Sequence, residues 1–152
     1  MRHPLHPAFV HFPIATWSLG TAGDLASLAW GELSWGELAW GEPAWRFAGA
    51  SIAVGVVTAL AAMATGLLEL MKLDADHPAT GHVTRHMLLM MTTWCCYTVS
   101  LFLRLDGTTL MRPDALAIGL SAIGFVLLCL AGWLGGQLVY EHGVGVRRRP
   151  VP

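Results

Sequence analysis

Seven histidines stand in this chain, and they fall in three groups. His3, His6 and His11 lie in "HPLHPAFVHFP" (residues 3–13), His77, His82 and His86 near the middle, and His142 in "YEHGVGV" close to the end. Imidazole is the most common metal ligand among side chains and titrates close to neutral pH. His82 and His86, in "HVTRH", are four residues apart and so share one helix face, a turn apart. Such a pair can hold one metal ion side by side. It cannot supply both axial ligands of a haem, which approach the iron from opposite sides of the ring. A haem would take one of the pair and a second ligand from another helix, for which His11 is the natural candidate. Pro13, two residues on, suits a helix start or a kink that would fix the direction of His11.

Other groups could serve the same chemistry. Glu69 and Asp24 are acids inside long apolar runs, where an ionisable residue is a functional candidate by default. Glu69 could orient an imidazole or relay protons, and Asp24 is a second relay candidate. Met87, Met90 and Met91 carry thioethers that can ligate haem iron or copper, although apolar packing is the ordinary role. The "HGVG" turn at 142–145 would let the backbone at Gly143 approach a propionate. Cys95, Cys96 and Cys129 all lie in apolar runs and read as small core residues rather than as a disulfide framework.

The elements that must position these groups are greasy. The chain is 55% hydrophobic and 12% charged, with a mean hydropathy of +0.56 and a net charge of -1. Soluble domains carry about 25% charged residues. The balance predicts a membrane protein and argues against a nucleic-acid partner. Four segments have the length and character of a span: near 12–30, 47–71, 83–103 and 115–140. Short connections predict one domain over 1–152, an all-α, integral membrane four-helix bundle with both tails on one side. The His- and Pro-rich start lacks the basic character of a cleavable leader, so the first segment reads as a retained helix. With four spans, the side of the tails and middle loop carries Arg2, Lys72, Arg85, Arg147, Arg148 and Arg149, against Arg46, Arg104 and Arg112 opposite. That bias places both tails of a multi-pass protein in the cytoplasm. All seven histidines then map to one face of the membrane.

Between the first two segments runs "WGELSWGELAWGEPAW", with Trp30, Trp35, Trp40 and Trp45 spaced by five and Glu32, Glu37 and Glu42 between them. Five residues turn a helix by about 500°, so successive tryptophans share no helix face. Tryptophan suits the membrane interface, and the repeat reads as a duplicated interfacial loop without chemistry. Gly132 and Gly136 give a GxxxG spacing that permits close helix approach.

The two ends, "HPAFVHFPIA" and "GWLGGQLVYEHGVGV", resemble the signatures of a family of small four-helix bacterial membrane proteins of unknown function. The likeness covers nearly the whole chain. Its marked positions fall on His6, Pro7, His11, Pro13, Gly132, Gly135, Gly136, His142 and Gly143, with His82 or His86 where the family has a histidine opening its third helix. The Trp-Gly-Glu repeat departs from that family. Some relatives are joined to a Rieske-type iron–sulfur domain, and the family resembles the membrane cytochromes b. The resemblance implies electron transfer with a separate partner, either a quinone or an iron–sulfur protein, in a larger membrane complex or a homo-oligomer. The resulting expectation is a b-type cytochrome subunit rather than a stand-alone enzyme. His11 and His86 would ligate haem b, and His142 and His6 would form a second pair or bind propionates. The rivals are a copper- or zinc-binding or transporting protein that uses His82, His86 and His11 or His142, and a cofactor-free structural subunit.

Overall fold

The computed structural model describes residues 5–30, 34–35, 38–39, 41–74 and 76–146. Five helices account for nearly all of it: α1 (His6–Phe9), α2 (His11–Trp30), α3 (Gly41–Leu70), α4 (Thr80–Leu103) and α5 (Ala115–Tyr140). Two small antiparallel ribbons join the helices of each pair. β1 (Ser34–Trp35) pairs with β2 (Leu38–Ala39), and β3 (Leu105–Asp106) with β4 (Thr109–Leu110). The protein is therefore mostly helical, and a short paired ribbon forms within the Trp-Gly-Glu repeat, where the sequence suggested no strand.

Local chemistry explains the helix limits. Pro7 sits in the first turn of α1, where its missing N–H costs nothing, and the Ile14 N–H reaches the Val10 carbonyl, so α1 runs into α2 with little interruption. Asp114 caps α5 by accepting the Ala117 N–H at 2.8 Å. Gly107 holds a φ of 60°, which lets the β3–β4 ribbon close in two residues. α3 begins at Gly41, earlier than the apolar run, with Glu42 and Arg46 paired one turn apart.

The four long helices form a ring. α2 packs on α3 and α4 on α5, as two tight hairpins, while α2 also meets α5 and α3 meets α4. α2 and α4 lie diagonally and meet through side chains across the middle. Trp17 stacks on Tyr97 with 4.7 Å between ring centroids and an interplanar angle of 6°. Gly55 and Gly124 admit these rings: a Cβ at Gly55 would overlap Trp17, and one at Gly124 would come within 3.0 Å of Tyr97. Around this stack sit Ile52, Ala59 and Leu128.

The distribution of polarity is inverted relative to a soluble domain. Thr21, Asp24, Thr93, Ser100, Arg104 and Ser121 are buried, while Leu28, Val57, Leu67, Phe102, Val126 and Trp133 face outward. Cys95 and Cys129 also face outward, and are not the core residues their neighbours suggested. An apolar exterior over a polar-seamed interior is what a lipid solvent selects. α3, α4 and α5 are each long and apolar enough to cross a membrane. α2 falls short of that measure, because His11, Pro13 and Asp24 dilute its apolar residues.

Asp24 and Arg104 are wholly buried and form a two-pronged ion pair, with Nη1 donating to Oδ1 at 2.8 Å and Nη2 to Oδ2 at 3.1 Å. The Ser121 hydroxyl donates to the second carboxylate oxygen at 2.6 Å, and Arg104 also donates to the Ser100 hydroxyl at 2.8 Å. Removing one partner leaves a bare buried charge. Arg104→Leu should therefore lower stability in detergent by about 3–5 kcal/mol, while the double change with Asp24→Leu should recover most of that loss. Chemical denaturation of the purified variants measures both, and equal losses for the single and double variants would contradict this account.

Candidate histidine site

The described histidines are held in three different ways, which the sequence did not separate. His6, at the start of α1, donates Nδ1–H to the Ala62 carbonyl of α3 at 2.8 Å. His86, in the second turn of α4, donates Nδ1–H to the Ala131 carbonyl of α5 at 2.9 Å. A carbonyl can only accept, so both rings carry a proton on Nδ1, and in the neutral imidazole Nε2 then keeps its lone pair for a ligand. Among the described residues neither Nε2 has a hydrogen-bond partner. Each ring lies against a glycine one turn beyond its carbonyl. A Cβ at Gly66 would meet the His6 ring at 3.0 Å, and one at Gly135 the His86 ring at 3.3 Å.

His82 and His142 form a second pair, with Nε2 of His142 and Nδ1 of His82 3.2 Å apart and ring centroids 4.8 Å apart. One ring must donate and the other accept, and the contact ties the end of α5 to the start of α4. Ala79, Val83 and Leu138 pack beneath it. His77 takes the Ala79 N–H on Nδ1 at 3.1 Å, which stabilises the turn into α4.

His11 does not join either pair. It is exposed on the outer side of α2, whereas His6 is the ring of this segment that reaches a neighbouring helix. The reason is helical phase. α1 and α2 are nearly continuous, and five residues past His6 rotate a side chain well off the inward face. His3 lies outside the described residues. The two acids are also engaged elsewhere. Glu69 is ion-paired with Lys72 at 2.8 Å on the surface of α3. Both oxygens of Asp24 are taken by Arg104 and Ser121, roughly 27 Å along the helix from His6. Gly143 has a φ of 64°, and its N–H and that of Val144 close on the Val139 and Leu138 carbonyls, so these amides end a helix rather than face a ligand. Met87 and Met91 point outward, and Met90 packs against the central core.

Among the described residues, no group of three or more His, Cys, Asp or Glu side chains is close enough to hold a metal ion. The two pairs can each offer two nitrogen donors. The functional signal that the sequence reading missed was a shared interval, since His6 precedes Trp17 and Asp24 by the same steps as His86 precedes Tyr97 and Arg104.

The fixed tautomers are measurable. In ¹⁵N spectra of ring-labelled protein, His6 and His86 should show protonated Nδ1 and unprotonated Nε2, and His11→Ala should leave both signals in place. A majority of the Nε2–H form at either ring would contradict the carbonyl contacts.

No curated protein and no solved structure matches this chain. A family profile does match it, over residues 2–148, and that family is described as predicted membrane proteins (DUF2231). With three helices apolar enough to cross a bilayer and a match over nearly its whole length, the chain belongs to the DUF2231 family of predicted membrane proteins.

Proposed function

We propose that this membrane protein is a four-span, b-type cytochrome-like subunit that holds haem b between His6 and His86 and passes single electrons. One observation carries the reading: two imidazoles, one on α1 at the head of α2 and one on the diagonally placed α4, each anchored through Nδ1 to a helix carbonyl, with Nε2 left free. Trans ligands must come from opposite sides of a flat ring, and helices facing each other across a bundle can deliver them. His82 and His86, on one face of α4, cannot. His6 and His86 would hold the haem, which would supply one-electron oxidation and reduction there.

The residues of the chain would do the rest. The Ala62 and Ala131 carbonyls orient the two rings, and hydrogen bonding at Nδ1 raises the basicity of Nε2. Gly66 and Gly135 give the rings room beside α3 and α5. The Trp17–Tyr97 stack closes the core further along the bundle and excludes water. The electron partner would be a quinone or an iron–sulfur protein on another chain. Copper or zinc is the second reading, and it is weaker because His82 and His142 offer two donors without a third.

Orientation follows the basic residues. Arg104 is buried against Asp24, so it no longer counts as a loop charge, and the bias toward cytoplasmic tails in a bacterial inner membrane becomes sharper. The histidine pair would then lie near the cytoplasmic face.

The test is an absorption spectrum of protein purified in detergent after expression with ample haem. A low-spin, six-coordinate spectrum is expected. His6→Ala or His86→Ala should remove it, and His11→Ala should leave it unchanged. The absence of a Soret band, or its survival in His86→Ala, would defeat the haem reading.

A further inference from the structure

We propose that residues 6–70 and 86–139 are two equivalent helical hairpins related by a two-fold axis along the middle of the bundle. α2 then crosses the membrane beside its counterpart α4, and the histidine site lies on the axis, shaped for a flat ligand with two like faces.

The equivalence is visible in contacts. His6 and Ala62 correspond to His86 and Ala131, with the same ring nitrogen, the same acceptor and a glycine one turn on. Trp17 against Gly55 corresponds to Tyr97 against Gly124. Asp24 and Arg104 occupy corresponding places, 80 residues apart, and they bond to each other. The second helices agree as closely. The buried positions of α3 are Ala48, Gly49, Ile52, Gly55, Ala59 and Ala62. Moved by the interval from Ala62 to Ala131, each falls on a buried position of α5, from Ala117 to Ala131. The packing partners exchange as a two-fold requires, since α2 meets α3 and α5 while α4 meets α5 and α3.

Residues that meet their own counterpart must lie beside the axis. Trp17 and Tyr97 do so, and their near-parallel rings are what a two-fold between them produces. Asp24 and Arg104 do so in the next layer. The axis runs parallel to the helices, because α2 and α4 point the same way. This is the parallel-repeat arrangement, with the axis along the membrane normal. α4 qualifies as a span by composition. Its counterpart α2 lies in the same layer of the same bundle, and its one buried acid is matched by Arg104, so its weaker hydropathy does not put it outside the membrane.

The two halves differ where the loops differ. His6 and Ala62 are 56 residues apart, and His86 and Ala131 are 45 apart. The excess falls in the connection that carries the Trp-Gly-Glu repeat, which makes that repeat an insertion in the first hairpin. The nature of the ligand rests on the haem reading; the two-fold does not.

Two measurements on the full chain test the proposal. Under a two-fold, Leu60 and Phe102 exchange with Cys129 and Ala22. In protein whose other cysteines are serine, spin labels on Leu60→Cys with Phe102→Cys should give the same distance distribution as labels on Cys129 with Ala22→Cys. Clearly different distances overturn the equivalence. For the span, single cysteines at the paired positions Leu5→Cys and Arg85→Cys should react with an impermeant maleimide from one side of the membrane, and Leu28→Cys and Thr108→Cys from the other. Reaction of Leu5→Cys and Leu28→Cys from the same side removes α2 from the membrane and overturns the proposal. Neither readout needs haem, so a protein that passes both without a Soret band sinks only the cytochrome reading.

Discussion

A charge carried into a medium that solvates it poorly has to find its opposite, and Asp24 and Arg104, both wholly buried, find each other. That requirement fixes the register of α2 against α4. Eighteen residues separate Asp24 from His6, and eighteen separate Arg104 from His86. Once the ion pair forms, the two histidines arrive at the same depth on diagonal helices. The Trp17–Tyr97 stack falls into line between the two layers without any further specification. A slip of one residue would turn the acid away from the guanidinium and leave both charges bare. The pair therefore acts as a register lock whose effect is felt at the far end of the bundle, whatever its net contribution to stability.

Glycine sets the second constraint. Gly55 and Gly124 stand where the aromatic rings of the facing helix press in, and Gly66 and Gly135 stand beside the imidazoles. In lipid, apolar side chains gain little by leaving the solvent, so close backbone approach and buried polar contacts must hold the helices together. The interior here follows that rule. Ser100 donates to the Ala117 carbonyl at 2.7 Å, and the Thr21 and Tyr97 hydroxyls share a hydrogen bond at 2.8 Å. Gly66 and Gly135 do at the histidine layer what Gly55 and Gly124 do at the aromatic one, leaving space for a ring beside the backbone.

Much of the fold was legible in the sequence, because long apolar runs leave few alternatives. The last helix matches its predicted segment, α4 begins three residues before its segment, and α3 begins six before. The gathering of histidines toward one end was legible too, from topology. The choice among them was not. His11 and His6 both precede the same apolar run, and the nearly continuous passage of α1 into α2 decides which of them faces inward. Arg104 read as a loop cation because it follows the last apolar residue of its run, whereas its partner on another helix draws it inside. Glu69 read as an acid within a span that could orient an imidazole or relay protons, and in the structure it pairs with Lys72. For Arg104 the deciding interaction joins segments 80 residues apart, and for His6, His11 and Glu69 it is the phase of the helix that decides; hydropathy along the sequence records neither.

The internal repeat escaped sequence comparison for a related reason. At a two-fold axis a residue meets its own counterpart, so identical side chains are the wrong solution there for anything charged. Two aspartates on the axis would repel, and two arginines likewise; an aspartate and an arginine attract. A duplicated hairpin that fuses into one chain is free to diverge at those positions, and the gain is greatest where identity would have been most telling. Histidine is the exception, because a pair of neutral imidazoles need not repel. It can serve a ligand that accepts one on each side. The axis thus shows complementary residues where burial forbids likeness and identical residues where a shared ligand would favour it. Asp24–Arg104 and His6–His86 are the two ends of that series, and Trp17–Tyr97, alike in shape and different in chemistry, is its middle.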